Sequence, residues 1–178
     1  MSHHFRTSRS LIAAVLAGGL LAAGPVLSAE DNAPALSVGD AFPVLDLEDQ
    51  FEEPRPVPGE ASLVVFSGSK EADDTLSDTL GEVAGDALRS GATIYLSDIS
   101  RMPGLITRFV AMPALKDRDY PATLIREEGQ AGELSATEGC YALFGIDDGT
   151  VSSRSEVCEP EALRAALTDT AAGAVAGD

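Results

Sequence analysis

The stretch Leu63-Val64-Val65-Phe66-Ser67-Gly68-Ser69-Lys70-Glu71-Ala72-Asp73-Asp74 decides how the rest of the chain is read. Its first four residues are apolar, a run short enough for a buried strand. Ser67-Gly68-Ser69 breaks the run, and beyond it the apolar period changes. Leu76, Leu80, Val83, Ala84, Ala87 and Leu88 recur at intervals of three and four, tracing one face of a helix over residues 70–89. Ser69 is placed to cap that helix, and Glu71, Asp73 and Asp74 suit the positive end of its dipole. Gly91 supplies the stop. A core strand that hands over to a helix in this way creates a mouth where backbone N–H groups can receive a ligand. Here the mouth holds serine, glycine and lysine, with neither cysteine nor histidine.

Downstream, Thr93 to Leu96 reads as the next strand, ending in Ser97-Asp98. Ser100 is expected to cap a second helix with Met102-Pro103 in its first turn and Leu105, Ile106, Phe109 and Val110 on its buried face. Residues 113–119 read as a short helical turn or loop, and Tyr120 to Ile125 as a brief strand. Tyr141 to Ile146 and Val151 to Val157 flank Asp147-Asp148-Gly149, a strong hairpin turn signal. Glu159-Pro160-Glu161 opens a closing helix that turns Leu163, Ala166 and Leu167 inward. Upstream, Val44 to Asp49 alternates like a half-buried strand. Pro54, Pro56 and Pro58 make residues 52–59 an extended connector that cannot be a central strand. Strand, helix, strand, helix, hairpin and closing helix is the order of an α/β thioredoxin-like sandwich, a central mixed β-sheet flanked by helices.

Residues 1–29 read as a secretory signal peptide: Arg6 and Arg9 precede an apolar run from Leu11 to Leu21, and Leu27-Ser28-Ala29 ends in small residues. The competing reading is a retained membrane anchor. Cleavage removes His3 and His4, the only histidines, and with them any Ser-His-Asp, Cys-His or histidine-metal chemistry. The whole chain carries 12 basic against 29 acidic side chains, a net charge of −17, and loss of Arg6 and Arg9 makes it more acidic still. Nucleic-acid phosphates and anionic membranes would repel such a surface, so neither is an expected partner, and no stable membrane insertion is expected after cleavage. Residues 30–36 read as a flexible lead-in, 37–170 as one domain and 171–178 as a disordered tail.

Val38-Gly39-Asp40-Ala41-Phe42-Pro43, followed by Leu45-Asp46-Leu47, resembles the entry segment of the peroxiredoxin and thiol-reductase branch of the thioredoxin superfamily. Leu143 to Val151 resembles the hairpin those proteins carry before their last helix. Ile94 to Gly104, with the later Tyr120-Pro121, resembles the periplasmic YtfJ-type proteins, a thioredoxin-like family of poorly defined function. The likeness spans about residues 36–168. The redox members imply Cys-x-x-Cys or a peroxidatic cysteine at the start of the first helix, where the helix dipole lowers the thiol pKa. In this chain that place, Ser67 to Asp74, contains no sulfur. The cis-proline that faces those cysteines would fall near Gly139-Cys140-Tyr141, where there is none; Pro121 belongs to the earlier strand.

The only cysteines are Cys140 and Cys158. Gly149 of the turn lies midway between them, so the hairpin sets them opposite one another, near disulfide reach. A structural bridge is the favoured reading and a relocated redox pair the alternative. Asp73, Asp74, Asp78, Asp147 and Asp148 read as helix-end and turn acids and not as metal ligands. Arg101, Arg108 and Arg118 read as surface charges. Ser67, Gly68, Ser69 and Lys70 are the proposed ligand or partner groove. The expectation is therefore an exported, periplasmic, redox-inactive protein that binds a protein or peptide partner. It would be no enzyme, with no catalytic residue, no cofactor and no metal. The rival is a thiol-disulfide oxidoreductase built on Cys140 and Cys158.

Overall fold

The computed structural model describes residues 35–175. The expected signal peptide (1–29) and most of the lead-in lie outside the described residues. The described residues all belong to one compact unit, Asn32–Asp178. The lead-in expectation fails at its last residue: Leu36 is buried, and its N–H donates to the Glu133 carbonyl at 3.2 Å. Apolar burial at Leu36 anchors the chain before the first strand.

Seven strands form one mixed sheet: β1 (Leu45–Asp49), β2 (Pro54–Val57), β3 (Leu63–Ser67), β4 (Thr93–Asp98), β5 (Ala122–Ile125), β6 (Tyr141–Asp147) and β7 (Thr150–Val157). Their order across the sheet is β2-β1-β5-β4-β3-β6-β7. β3, β4 and β5 run parallel, and β6 pairs antiparallel with both β3 and β7. The proline-rich connector contains a strand after all, but at the sheet's edge, where missing N–H groups cost no ladder bonds.

β3 lies inside the sheet between β4 and β6, and all five of its residues are buried. Its side chains alternate between faces. Leu63 and Val65 join the cluster with α1 (Lys70–Ser90) and α4 (Pro160–Val175); Val64 and Phe66 join Leu36, Phe42 and Leu134 on the other face. α1 begins and ends as the sequence predicts, with the Ser69 hydroxyl accepting from the Ala72 N–H and Gly91 left-handed at φ 84°. α4 buries Leu163 and Leu167, and Arg164 forks onto Glu82 of α1 through two hydrogen bonds of 3.1 Å. Its helix runs through Val175, past the boundary at 170 where the tail was expected to start.

The second helical segment departs most from expectation. It consists of α2 (Gly104–Ile106), a π-helical turn (Thr107–Ala111) and α3 (Met112–Lys116). Ser100 does not cap it; the Ser100 N–H is taken by Asp98 Oδ1 at 2.9 Å, and the helix starts at Gly104. Leu105, Ile106, Phe109 and Val110, the face expected to be buried, are 73, 42, 66 and 47% exposed. Leu115, Met102 and Met112 make the contacts to the core instead. Buried Gln50 holds the end of this segment, donating to the Leu115 and Tyr120 carbonyls and accepting from the Ala122 N–H.

The hairpin is as predicted, with one added device. Asp148 (φ 47°) and Gly149 (φ 74°) form the two-residue turn, both left-handed. A bulge at Gly145/Ile146 shifts the register by one residue, so Tyr141 faces Val157 and the next pair outward is Cys140 and Cys158. Any side chain at Gly145 would collide with the Ser153 hydroxyl.

Candidate functional site

β3 delivers the chain to the N-terminus of α1, and the structure closes much of the expected mouth. Ser67 is buried, its hydroxyl bonded to the Ser69 carbonyl at 3.2 Å. The Ser69 hydroxyl serves two N–H groups, Ala72 at 3.3 Å and Gly139 at 3.1 Å. It therefore ties α1 to the loop before β6 as well as capping the helix. Lys70 is paired with Asp74. Gly68 opens onto a cleft of about 410 Å³ shared with Phe66, Asp98, Ser100 and Arg101, and Lys70 onto a different one of about 200 Å³. The four residues are adjacent, but they do not line one common groove.

Cys140 and Cys158 form a disulfide. Cys140 is buried and Cys158 is an exposed residue, so the bridge links the interior to the surface. Cys140 follows Gly139, the residue whose N–H meets Ser69, which sets the bridge beside the start of α1.

Under the first turns of α1 lies a cluster that the sequence reading missed. Asp73 accepts hydrogen bonds from the hydroxyls of Tyr95 (2.5 Å), Tyr141 (3.2 Å) and Ser97 (3.4 Å). Arg118 approaches the same carboxylate at 3.9 Å, with its guanidinium over the rings of Tyr95 and Tyr120. The side chains of Arg118 and Asp73 are only 15 and 13% exposed, which corrects the reading of Arg118 as a surface charge; Asp73 lies in the first turn of α1 as expected, but turned inward. Burial pushes the Tyr95 and Tyr141 hydroxyls far above their ordinary pKa, with the Asp73 charge adding to it, and raises Tyr120 to about 12. Burial alone would push the Arg118 guanidinium down, but Tyr95, Tyr120 and Asp73 outweigh it and leave it raised. A signal was present: all three tyrosines of the chain sit on or beside core strands, where a buried hydroxyl needs a partner.

Asp73 and Arg118 form the wall between two adjoining clefts. One, about 620 Å³, is lined by Asp74, Asp78, Glu82, Asp117 and Asp119. The other, about 200 Å³, is apolar, between Ile99, Met102, Ile106, Val110 and Leu115. Leu105 and Phe109, also exposed, immediately precede Ile106 and Val110 in the same helical segment, and the Arg108 guanidinium lies 5.4 Å from the centre of the Phe109 ring. Among the described residues no group of three or more His, Cys, Asp or Glu side chains is arranged to hold a metal ion.

Sheet order and element sequence define a thioredoxin-like fold, and solved structures agree. A candidate thiol:disulfide interchange protein DsbE from Chlorobium tepidum superposes with a TM-score of 0.53 at 13% identity, covering 79% of this chain and 99% of its own. A candidate protein disulfide isomerase from Bacteroides thetaiotaomicron gives 0.53 at 9% identity, covering 76 and 88%. Peroxidoxin BcpB from Mycobacterium tuberculosis gives 0.51 at 15% identity, covering 76 and 97%. No protein-family model and no curated protein sequence matches the chain.

The expectation that the chain is no enzyme does not stand. Its structural neighbours are named for thiol-disulfide and peroxide chemistry, and its own two cysteines form a disulfide. The chain thus carries a disulfide on a fold that such proteins share. The α1 turn itself holds no thiol.

Proposed function

We propose that the chain is an exported, periplasmic thioredoxin-like protein of the YtfJ type that binds a protein or peptide partner. The thiol-free α1 turn takes no part in exchange chemistry. The binding face is the 104–116 helix together with the N-terminal half of α1. The observation that carries this reading is the run of Leu105, Ile106, Phe109 and Val110, exposed on one helix. Contiguous apolar surface of that kind marks interaction sites. Among the described residues no helix is long and apolar enough to cross a membrane.

A photo-crosslinking residue at Phe109, introduced into the full chain in the cells that make it, tests the proposal. The expected result is an adduct of defined mass in the periplasmic fraction, lost with Leu105→Ser. The same residue at Val44, 80% exposed and outside the proposed face, gives no such adduct. Equal labelling from both positions, or none from Phe109, contradicts the reading.

One observation favours a second reading, a thiol-disulfide oxidoreductase using Cys140 and Cys158. The bridge adjoins the α1 N-terminus through the Gly139–Ser69 hydrogen bond and reaches solvent at Cys158. A helix N-terminus stabilises a nearby thiolate.

A further inference from the structure

We infer that the partner segment is a basic amphipathic helix, its apolar side seated on Leu105, Ile106, Phe109 and Val110 and its cations in the acidic cleft alongside. This rests on the partner-binding reading above and adds the partner's chemistry. The two clefts are continuous, since Asp73, Asp74, Ala114 and Arg118 line both. One offers hydrocarbon and the other carboxylates, the pattern that an amphipathic helix with a lysine- and arginine-rich flank complements.

Charge selects among the possible occupants. Three acids of the larger cleft already have cations: Asp74 pairs with Lys70, Glu82 with Arg164 and Asp119 with Arg89. Asp78 and Asp117, both exposed, make no ion pair among the described residues. Arg118, the one cation among the described residues that line this cleft, sits against Asp73 and two tyrosine rings. A partner's lysines or arginines would answer Asp78 and Asp117. A second copy of this chain would bring its own acids against the same acids, and an anionic lipid surface would be repelled.

The test uses the full chain and two designed peptides of about 18 residues, long enough to hold a helix. Both carry the same leucine face, one with lysine and one with glutamate on the polar side. The lysine peptide is expected to bind and the glutamate peptide not. Affinity for the lysine peptide should fall about tenfold in the Asp78→Asn, Asp117→Asn double variant. It should fall again as salt is raised from about 50 to about 300 mM. Phe109→Ser, at an exposed position that the fold does not need, should abolish binding.

Equal binding of both peptides, or an unchanged affinity in the double variant, overturns the basic-partner inference while leaving the binding face in place. Binding of the lysine peptide that Phe109→Ser leaves untouched removes the face itself. A dimer in sedimentation that Phe109→Ser dissociates assigns the surface to a second copy and also overturns the inference.

Discussion

Asp73 is the centre of the polar cluster beneath α1. Its carboxylate collects two tyrosine hydroxyls and a serine hydroxyl, with the Arg118 guanidinium close by. The three tyrosines keep their protons in the fold well above pH 10, whereas in the unfolded chain they lose them near that value. Ionisation therefore favours unfolding. Stability should be complete below about pH 10 and decline above it, through about 12 for Tyr120 and beyond for the other two. The decline is about 1.4 kcal/mol per pH unit for each tyrosine. Tyr95→Phe should cost about 1–2 kcal/mol at neutral pH through its lost hydrogen bond. It should also flatten the alkaline decline by one tyrosine's share. Urea denaturation across the alkaline range checks both effects; an identical slope in the variant would mean that Tyr95 does not titrate with unfolding. Arg118 looked like a surface charge because nothing in Lys116-Asp117-Arg118-Asp119 marks it otherwise. Sequence spacing does not reveal which of four neighbouring charged side chains turns inward over two aromatic rings.

At the scale of elements, legibility followed the regularity of the backbone. α1 was readable to its caps, because Ser69 and Gly91 bracket a long stretch of unbroken period. The hairpin was readable through Asp148-Gly149, and the cysteine pairing with it, although the bulge at Gly145 was not foreseen. The 104–116 segment was misread for two physical reasons. Apolar spacing tells which residues share a face, not whether another element covers that face. A π turn at Thr107–Ala111 also breaks the 3.6-residue period, so Met112 and Leu115 take the inward positions that Leu105 to Val110 were given. The disulfide closes the hairpin at its open end, with a sequence separation of 18 residues, and should contribute about 2–4 kcal/mol. If its work is structural, titration against glutathione buffers should give a potential below about −300 mV. The Cys140→Ser, Cys158→Ser variant should then lose stability by that amount while keeping its partner. Ready reduction within the glutathione range would favour the oxidoreductase reading instead.

Across the whole molecule, a thioredoxin-like sheet carries two contrasting polar regions. The turn at Ser67 to Lys70 is tied down by hydrogen bonds and an ion pair. The open chemistry lies to one side, where the acidic flank of α1 meets an uncovered apolar helix. A net charge of −17 would favour a cationic partner for this surface over an anionic one. The most direct measurement is amide hydrogen exchange of the full chain with and without the lysine-faced peptide. The expected result is slowed exchange confined to residues 104–116 and the first three turns of α1. Protection spread over the Gly68 cleft or the hairpin, or no protection at peptide concentrations that saturate binding, would contradict it.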